Sequence, residues 1–526
     1  MSDHYDWIIV GSGFGGSVSA LRLAEKGYRV CVLEKGKRWA PKDFAKSNWD
    51  LKRWMWMPGA GLRGIFQMSF FKHVTVLHGV GVGGGSLTYA NTLPTPKLGF
   101  FRSKSWSHLA DWKSELAPHY ETARRMLGAA TVPGTTRGDE IMKEIAKDIG
   151  REEHFHPAEV GVFFGPPGKT VADPYFDGDG PERVGCNHCG ACMTGCRIGA
   201  KNTLDRNYLY LAEQRGCRVE PETEVVAVRP RDGGYAVETR GTFARRKRRE
   251  LTADRVIFAG GVLGTLPLLL ALKDDPQGLP GLSDRLGSMV RTNSEALCGI
   301  VSAEGDDDFS KGVAITSILH TDEHSHVEPV RYASGSGFFR LLTLPHAPGS
   351  TLGSRIVGTL RGLLRHPVRW FRALTVRDFA RHSQVLLYMR TLEGTMKISR
   401  GRSFFTGFRR GIVTSLEPGS PAPRAFMAEA TDLARRFAAK VGGVTATLFT
   451  ETLLGVPSTA HILGGCCMGE DSSEGVIDAN HRVFGYDGLY VIDGSAVSAN
   501  PGVNPSLTIT ALAERAMSKV EPKPES

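Results

Sequence analysis

The segment Asp6 to Glu34 (DWIIVGSGFGGSVSALRLAEKGYRVCVLE) constrains the fold of this chain more than any other. Trp7 to Val10 is a short apolar run of β type. Gly11, Gly13 and Gly16 follow at G-x-G-x-x-G spacing. Val18, Leu21, Leu23 and Ala24 recur with helical periodicity, Gly27 stops the helix, and Val30 to Leu33 is a second β run. The order strand, glycine turn, helix, strand is that of a dinucleotide site. The first glycine makes the turn, the second admits backbone close to a pyrophosphate, and the third lets helix pack on strand. The helix N-terminus presents free N–H groups and a partial positive charge to the phosphates. Glu34 ends the second strand 23 residues after Gly11, where an acid can hold ribose hydroxyls.

At 526 residues the chain exceeds one ordinary core, so a second domain is expected. His78 to Pro96 carries Gly79, Gly81, Gly83, Gly84 and Gly85. Such a stretch cannot build a core but lets backbone run along a flat ligand; a flexible surface loop is the other reading. Residues 107–150 read as helical, and a helix begins at Leu204 to Ala212. Short β runs at Val225 to Val228, Ala236 to Thr239 and Arg255 to Phe258 lead into AGGVLGTLPLLLAL (Ala259 to Leu272), again strand, turn and helix. Residues 300–345 and 383–400 alternate like antiparallel strands, with a basic helical stretch at 346–382 between them. GLYVIDGSAV and PGVNPSLTITALAERAM then return to strand, turn and helix. The expected class is α/β: a discontinuous Rossmann-like domain (1–105, 197–300, 456–526), a linking region (106–196), and an inserted α+β substrate domain with an antiparallel sheet (301–455).

The net charge of +10 suits an anionic surface. No nucleic-acid module is evident, and the basic run Phe243 to Glu250 lies between two β runs as a solvated hairpin tip, so no nucleic-acid partner is expected. No run approaches the roughly 20 apolar residues of a membrane span. The first strand starts six residues in, which leaves no room for a secretory signal, so a cytoplasmic protein is expected, with membrane association open. Nine cysteines without such a signal argue against a disulfide framework.

Several separated motifs agree with one family. GSGFGG with Glu34, HGVGVGGGSL, AGGVLGT and GYDGLYVIDGSAVSANPGVNPSLTITALAERA resemble the glucose–methanol–choline (GMC) oxidoreductases, and the likeness spans nearly the whole chain. GVGGGSL, STAHILGG and GVNPSLTITALAER resemble its actinobacterial cholesterol-oxidase branch. The resemblance implies FAD as cofactor and oxidation of a 3β-hydroxysteroid, or of another apolar alcohol, as reaction. By position it implies that Gly11, Gly13, Gly16 and Glu34 hold the ADP half, and that Gly81, Gly83, Gly84, Gly85 and Ser86 pass beside the flavin. Val225 meets adenine through its backbone, and Asp493 and Gly494 hold the ribityl–phosphate region. His461 matches the catalytic histidine, Asn504 the second catalytic position, and Glu328 the base for a Δ5-to-Δ4 isomerisation.

Those residue types suit the chemistry. Histidine can accept a hydroxyl proton near neutral pH; a satisfied core histidine is the plainer reading of His461. Asn504 can donate a hydrogen bond where charge develops, or cap the helix that follows it. Glu328 in an apolar pocket could carry a proton across a double bond; a surface glutamate paired with Arg331 is the alternative. Cys186, Cys189, Cys192 and Cys196 have the C-x2-C-x2-C-x3-C spacing of bacterial ferredoxins, with Arg197 where those carry proline. A [4Fe–4S] cluster passing electrons to an acceptor other than oxygen, a zinc site and bare thiols are all open. Within 346–382, Leu352, Ile356, Val357, Leu360, Leu363 and Leu364, then Val368, Trp370, Phe371 and Leu374, interleave with Arg355, Arg361, Arg365, Arg369, Arg372 and Arg377. That pattern predicts a lid broken at Pro367, lying on a membrane with Trp370 and Phe371 at the acyl boundary, or a helical hairpin packed on the substrate domain.

Overall fold

A computed structural model describes residues 4–243, 248–302 and 307–524. Four residues of the basic hairpin tip, 244–247, lie outside this set. The first segment forms as its pattern dictates: strand His4–Val10, helix Phe14–Glu25 and strand Val30–Leu33, the two strands parallel. On one side the sheet adds Arg218–Glu220. On the other it adds the long strand Arg248–Phe258, which also takes Leu489–Val491 in parallel. The antiparallel strands Gly234–Gly241 and Thr223–Arg231 extend it. The helix expected from Leu204 is interrupted: a single turn, Leu204–Arg206, precedes helix Tyr208–Gln214, with Asn207 between them.

Helix Ser506–Ser518 packs beside Phe14–Glu25, so the last helix completes the layer begun by the first. Arg22 Nε donates to the buried Glu514 carboxylate at 2.7 Å, which also accepts from Tyr208 Oη at 2.6 Å. The glycines explain the closeness. A Cβ on Gly16 would lie 2.1 Å from the Gly11 carbonyl oxygen, and one on Gly84 would lie 2.7 Å from Gly13 Cα, at a φ of +53°. The second glycine stretch therefore abuts the first turn directly.

A second, fully antiparallel sheet runs Thr343–Pro345, Val444–Leu448, Ala296–Val301, Ser383–Arg390, Ser325–Val330, Ser317–Leu319, Phe155–Pro157. It draws Phe155–Pro157 and most of Ala296–Val301 from outside 301–455. Helix Ala428–Lys440 covers one face, with Phe437 and Leu433 buried against Cys298 and Ile300. No helix among the described residues is long and apolar enough to cross a membrane.

Overpacking a close contact costs about 1–3 kcal/mol. Gly16→Ala is thus expected to lower the thermal unfolding midpoint of flavin-free protein. Gly13→Ala, whose Cβ would meet only Ala259 O at 4.0 Å, is expected to leave it unchanged; circular dichroism on both variants checks the pair.

Candidate active site

One cavity of about 1110 Å³ joins the two sheets. Gly11, Gly13, Glu34, Gly84, Gly85, Val225, Asp493, Gly494, His461 and Asn504 all line it. Three helices open onto it with N-termini that make no side-chain cap: Phe14–Glu25 after Gly13, Val262–Asp274 after Gly261, and Ser506–Ser518 after Pro505. Uncapped N–H groups are a ready anion site.

Each acid at the nucleotide end is fixed by its neighbours. Glu34 Oε2 accepts from Ser12 Oγ at 2.7 Å and Ser12 N at 3.2 Å, and Oε1 accepts from Gly36 N at 2.8 Å. Asp493 Oδ2 accepts from Gly261 N (2.8 Å) and Thr265 Oγ1 (2.6 Å), and Oδ1 from Ser495 N (2.7 Å) and Oγ (2.5 Å). Burial pushes the Asp493 carboxyl up, and these four donors oppose it. Asp493 therefore welds two turns together as well as facing the cavity. Val225 sits at a register shift of its strand, where local backbone departs from the ladder. Gly16, Gly81, Gly83 and Ser86 do not reach the cavity wall. Ser86 instead ties Gly83 O (2.7 Å) to Leu204 N (3.0 Å), shaping the loop that Gly84 and Gly85 present. A cradle of close glycines, uncapped helix ends and a fixed acid fits the FAD that the resemblance implies.

At the other end stands a pair that the sequence did not reveal. Glu295, fully buried, opens the strand Ala296–Val301, and His461 follows the short strand Ser458–Thr459. His461 Nδ1 meets Glu295 Oε2 at 2.5 Å, and Ala460 N donates to the other oxygen. Burial alone would lower the His461 proton affinity; the charge and hydrogen bond of Glu295, with Glu328 adding, outweigh it, and the net shift is upward. With Nδ1 held by a carboxylate, Nε2 is the nitrogen left to accept a proton. The partners lie 166 residues apart, and no local spacing marks Glu295; a lone acid at the head of an apolar strand was the only signal.

Asn504 is not a cap. The helix after it is capped by Pro505 without a side-chain bond, while Asn504 Nδ2 donates to Glu328 Oε2 at 3.2 Å. Asn293 fixes the turn before it, accepting from Gly502 N (2.9 Å) and donating to Val503 O (3.0 Å). Glu328 has no surface exposure and no bond to Arg331; it pairs with Asn504 and with His326 Nε2 at 3.2 Å. Its carboxylate stands behind Asn504, off the cavity wall. Apolar side chains of the second sheet, including Leu297, Val330 and Leu387, close the remaining wall together with Ile315, which bridges to Val330.

The ferredoxin-like reading is corrected. Cys186, Cys189, Cys192 and Cys196 line one small void of about 20 Å³. Among the described residues, however, no group of three or more His, Cys, Asp or Glu side chains is placed to hold a metal ion. Cys186 and Cys192 pack in an apolar cluster with Val162, Ala200 and Ile315, while Cys189 is exposed. Burial pushes the Cys186 thiol up to about 12. Neither [4Fe–4S] nor zinc is supported by this placement of the described residues.

Matches to known families agree with this geometry. The GMC oxidoreductase models match residues 181–272 and 418–513, and an NAD(P)-binding Rossmann-like domain matches 9–40. A cholesterol oxidase of Acinetobacter baumannii is 45% identical over 99% of this chain and 95% of its own. The chain belongs to the GMC oxidoreductase family. A cholesterol oxidase of Mycobacterium tuberculosis is 46% identical over 98% of this chain and 91% of its own. A 2-methyl-1,2-propanediol dehydrogenase of Mycolicibacterium austroafricanum is 24% identical over 98% and 95%. The crystal structure of pyridoxine 4-oxidase from Mesorbium loti shares the fold of this GMC oxidoreductase, with a TM-score of 0.61 at 14% identity over 98% of both chains.

The Glu295–His461 contact has a measurable consequence. His461 is expected to titrate above the ordinary value near ~6.5, and Glu295→Gln, which removes the negative charge, is expected to bring its midpoint down. Nuclear magnetic resonance of the ring protons across pH reads both.

Proposed function

We propose that this GMC oxidoreductase oxidises the 3β-hydroxyl of a sterol such as cholesterol to the ketone, with FAD as its cofactor. The observation that carries the reading is the continuity of one cavity, from the fixed Glu34 carboxylate to the His461–Asn504 pair and on under an apolar wall. Cholesterol oxidases at 45% and 46% identity over nearly the whole chain support the substrate class.

FAD, when bound, supplies the hydride acceptor. The chain's own residues do the rest. Gly11, Gly13 and the N-terminus of helix Phe14–Glu25 would receive the pyrophosphate, Glu34 the ribose, and the Val225 backbone the adenine. His461 Nε2 takes the hydroxyl proton as the C–H bond is broken, and Glu295 holds the imidazole in the tautomer that can do so. The second N–H of Asn504 is free to steady the substrate oxygen, since Glu328 uses only one. Leu297, Ile315 and Leu387 exclude water from an apolar ring system.

The lid reading enters here with two corrections. Helices Leu352–Arg365 and Pro367–Thr375 form, with Pro367 starting the second. Trp370 does not face outward: it is buried against Val301, Val444 and Ala446. Arg355 is buried too, holding Gly349 O and Leu453 O. The exposed face is Leu352, Ile356, Leu360, Leu364 (79% exposed), Val368 and Phe371 (69%), with Arg361 and Arg365 beside it. The helix pair packs on strands Thr343–Pro345 and Val444–Leu448, whose Thr343, Ala446 and Leu448 line the cavity. An apolar, basic face directly outside the substrate wall supports peripheral docking on an anionic bilayer, from which a water-insoluble sterol is drawn.

Anaerobic cholesterol is expected to bleach the flavin, and His461→Ala to slow bleaching by roughly 100-fold or more. Bleaching by other apolar alcohols alone would replace the sterol with those. The isomerisation resting on Glu328 is read from the product: a conjugated enone in the parent and the unconjugated ketone in Glu328→Gln support it, and an unconjugated parent product removes it. For the lid, Leu364→Ser with Phe371→Ser is expected to weaken vesicle binding and spare turnover of detergent-solubilised sterol.

A further inference from the structure

Behind the site a row of histidines crosses the second sheet. Glu328 and His326 sit two residues apart on strand Ser325–Val330 and so share a face. Leu319 pairs with Val327 across the antiparallel ladder, which sets His320 opposite His326. The next strand pairs Ile318 with His156 and Leu319 with Phe155, bringing His156 alongside His320. The ring centroids of His326 and His320 are 5.7 Å apart, and those of His320 and His156 are 5.2 Å apart. His326 is 1% exposed, His320 half-buried and His156 exposed, so the row runs from the buried carboxylate to the surface.

We propose that Glu328, His326, His320 and His156 form a proton relay between the catalytic end of the cavity and solvent. Its inner end is continuous with the site: Asn504 lines the cavity and bonds Glu328 at 3.2 Å, and Glu328 bonds His326 Nε2 at 3.2 Å. The buried Nδ1 atoms of His326 and of His320 have no protein partner. Unpaired buried nitrogens are rare, and a single water between neighbouring rings would satisfy them. A neutral imidazole holds one N–H and one lone pair, the two things a relay member needs. His320 is kept neutral: burial pushes it down to about 3, with His326, Lys97, His156 and His154 adding. The charged groups around the row are few. Lys97 Nζ is held by Asp322 O and Ser325 O, and Arg151 Nε donates to His320 O. On the far side His326 faces the apolar Met389.

The relay rests on the reaction proposed above and supplies what that reaction lacks. Oxidation of R2CHOH to the ketone releases a hydride, which FAD would accept when bound, and one proton. His461 takes that proton in a cavity that an apolar substrate closes to water. One trapped water between His461 Nε2 and Glu328, whose charge reaches His461, would hand that proton to the row, which carries it out from there. The same path returns a proton when an electron acceptor reoxidises the flavin.

The experiment mixes FAD-loaded protein with cholesterol without oxygen, following flavin bleaching and a pH-indicator dye together. In the parent the dye is expected to keep pace with bleaching. In His320→Phe proton release should lag bleaching by roughly 10-fold or more, and in His156→Ala, a surface change, the lag should be relieved by added imidazole. Proton release that keeps pace with bleaching in both variants would overturn the relay. If no alcohol bleaches the parent, the functional reading fails by itself, and the relay is read from dye-reported proton uptake on photoreduction of the bound flavin, slowed in the same variants if the row conducts and unchanged if it does not.

Discussion

The architecture depends on the four donors gathered by one buried carboxylate. Asp493 arrives in the chain 232 residues after Gly261, yet it accepts from that residue's N–H and from Thr265 while also fixing Ser495. Two glycine turns from distant parts of the chain are thereby held side by side, and both face the cavity. Charge-assisted bonds of this kind are the strong ones, and in a buried setting none of the four can be given up without leaving a polar group unpaired. The helix ends, the close glycines and the position of Gly494 follow from that anchor.

The local motifs were legible because each solves a local problem. Gly11, Gly13 and Gly16 with Glu34 announce a turn whose geometry admits few other residues, and AGGVLGT and PGVNPSL announce two further turn-to-helix joints. What escaped reading was set by contacts between distant strands. Glu295 has no motif, because its meaning comes from His461 on another strand. Asn504 looked equally able to cap a helix, and only Glu328 across the domain boundary decides otherwise. Gly81, Gly83 and Ser86 stand behind the cavity wall, where Ser86 ties Gly83 to Leu204 and shapes the loop that presents Gly84 and Gly85.

Two patterns misled for instructive reasons. Spacing brought four cysteines together in sequence, but a ligand set also needs its side chains gathered around one point, and no such group stands among the described residues. An amphipathic pattern shows that a helix has two faces, not which of its large residues belongs to which. Trp370 has the apolar area to fill a gap over Val444 and Ala446, so the protein keeps it, and smaller or more flexible residues such as Leu364 and Phe371 are left outside.

The pairing of the first helix with the last, through Arg22 and Glu514, has a consequence for synthesis. Arg22 is made 492 residues before the Glu514 it binds, and the Asp493 anchor and the turn bearing Asn504 follow helix Phe14–Glu25 at a similar remove. Contacts of such long sequence separation form slowly. Until they do, the first sheet waits with one layer uncovered, an apolar face open to misassociation. Nucleotide capture and protection of the nascent chain are thus postponed to the same moment, when the last helix docks.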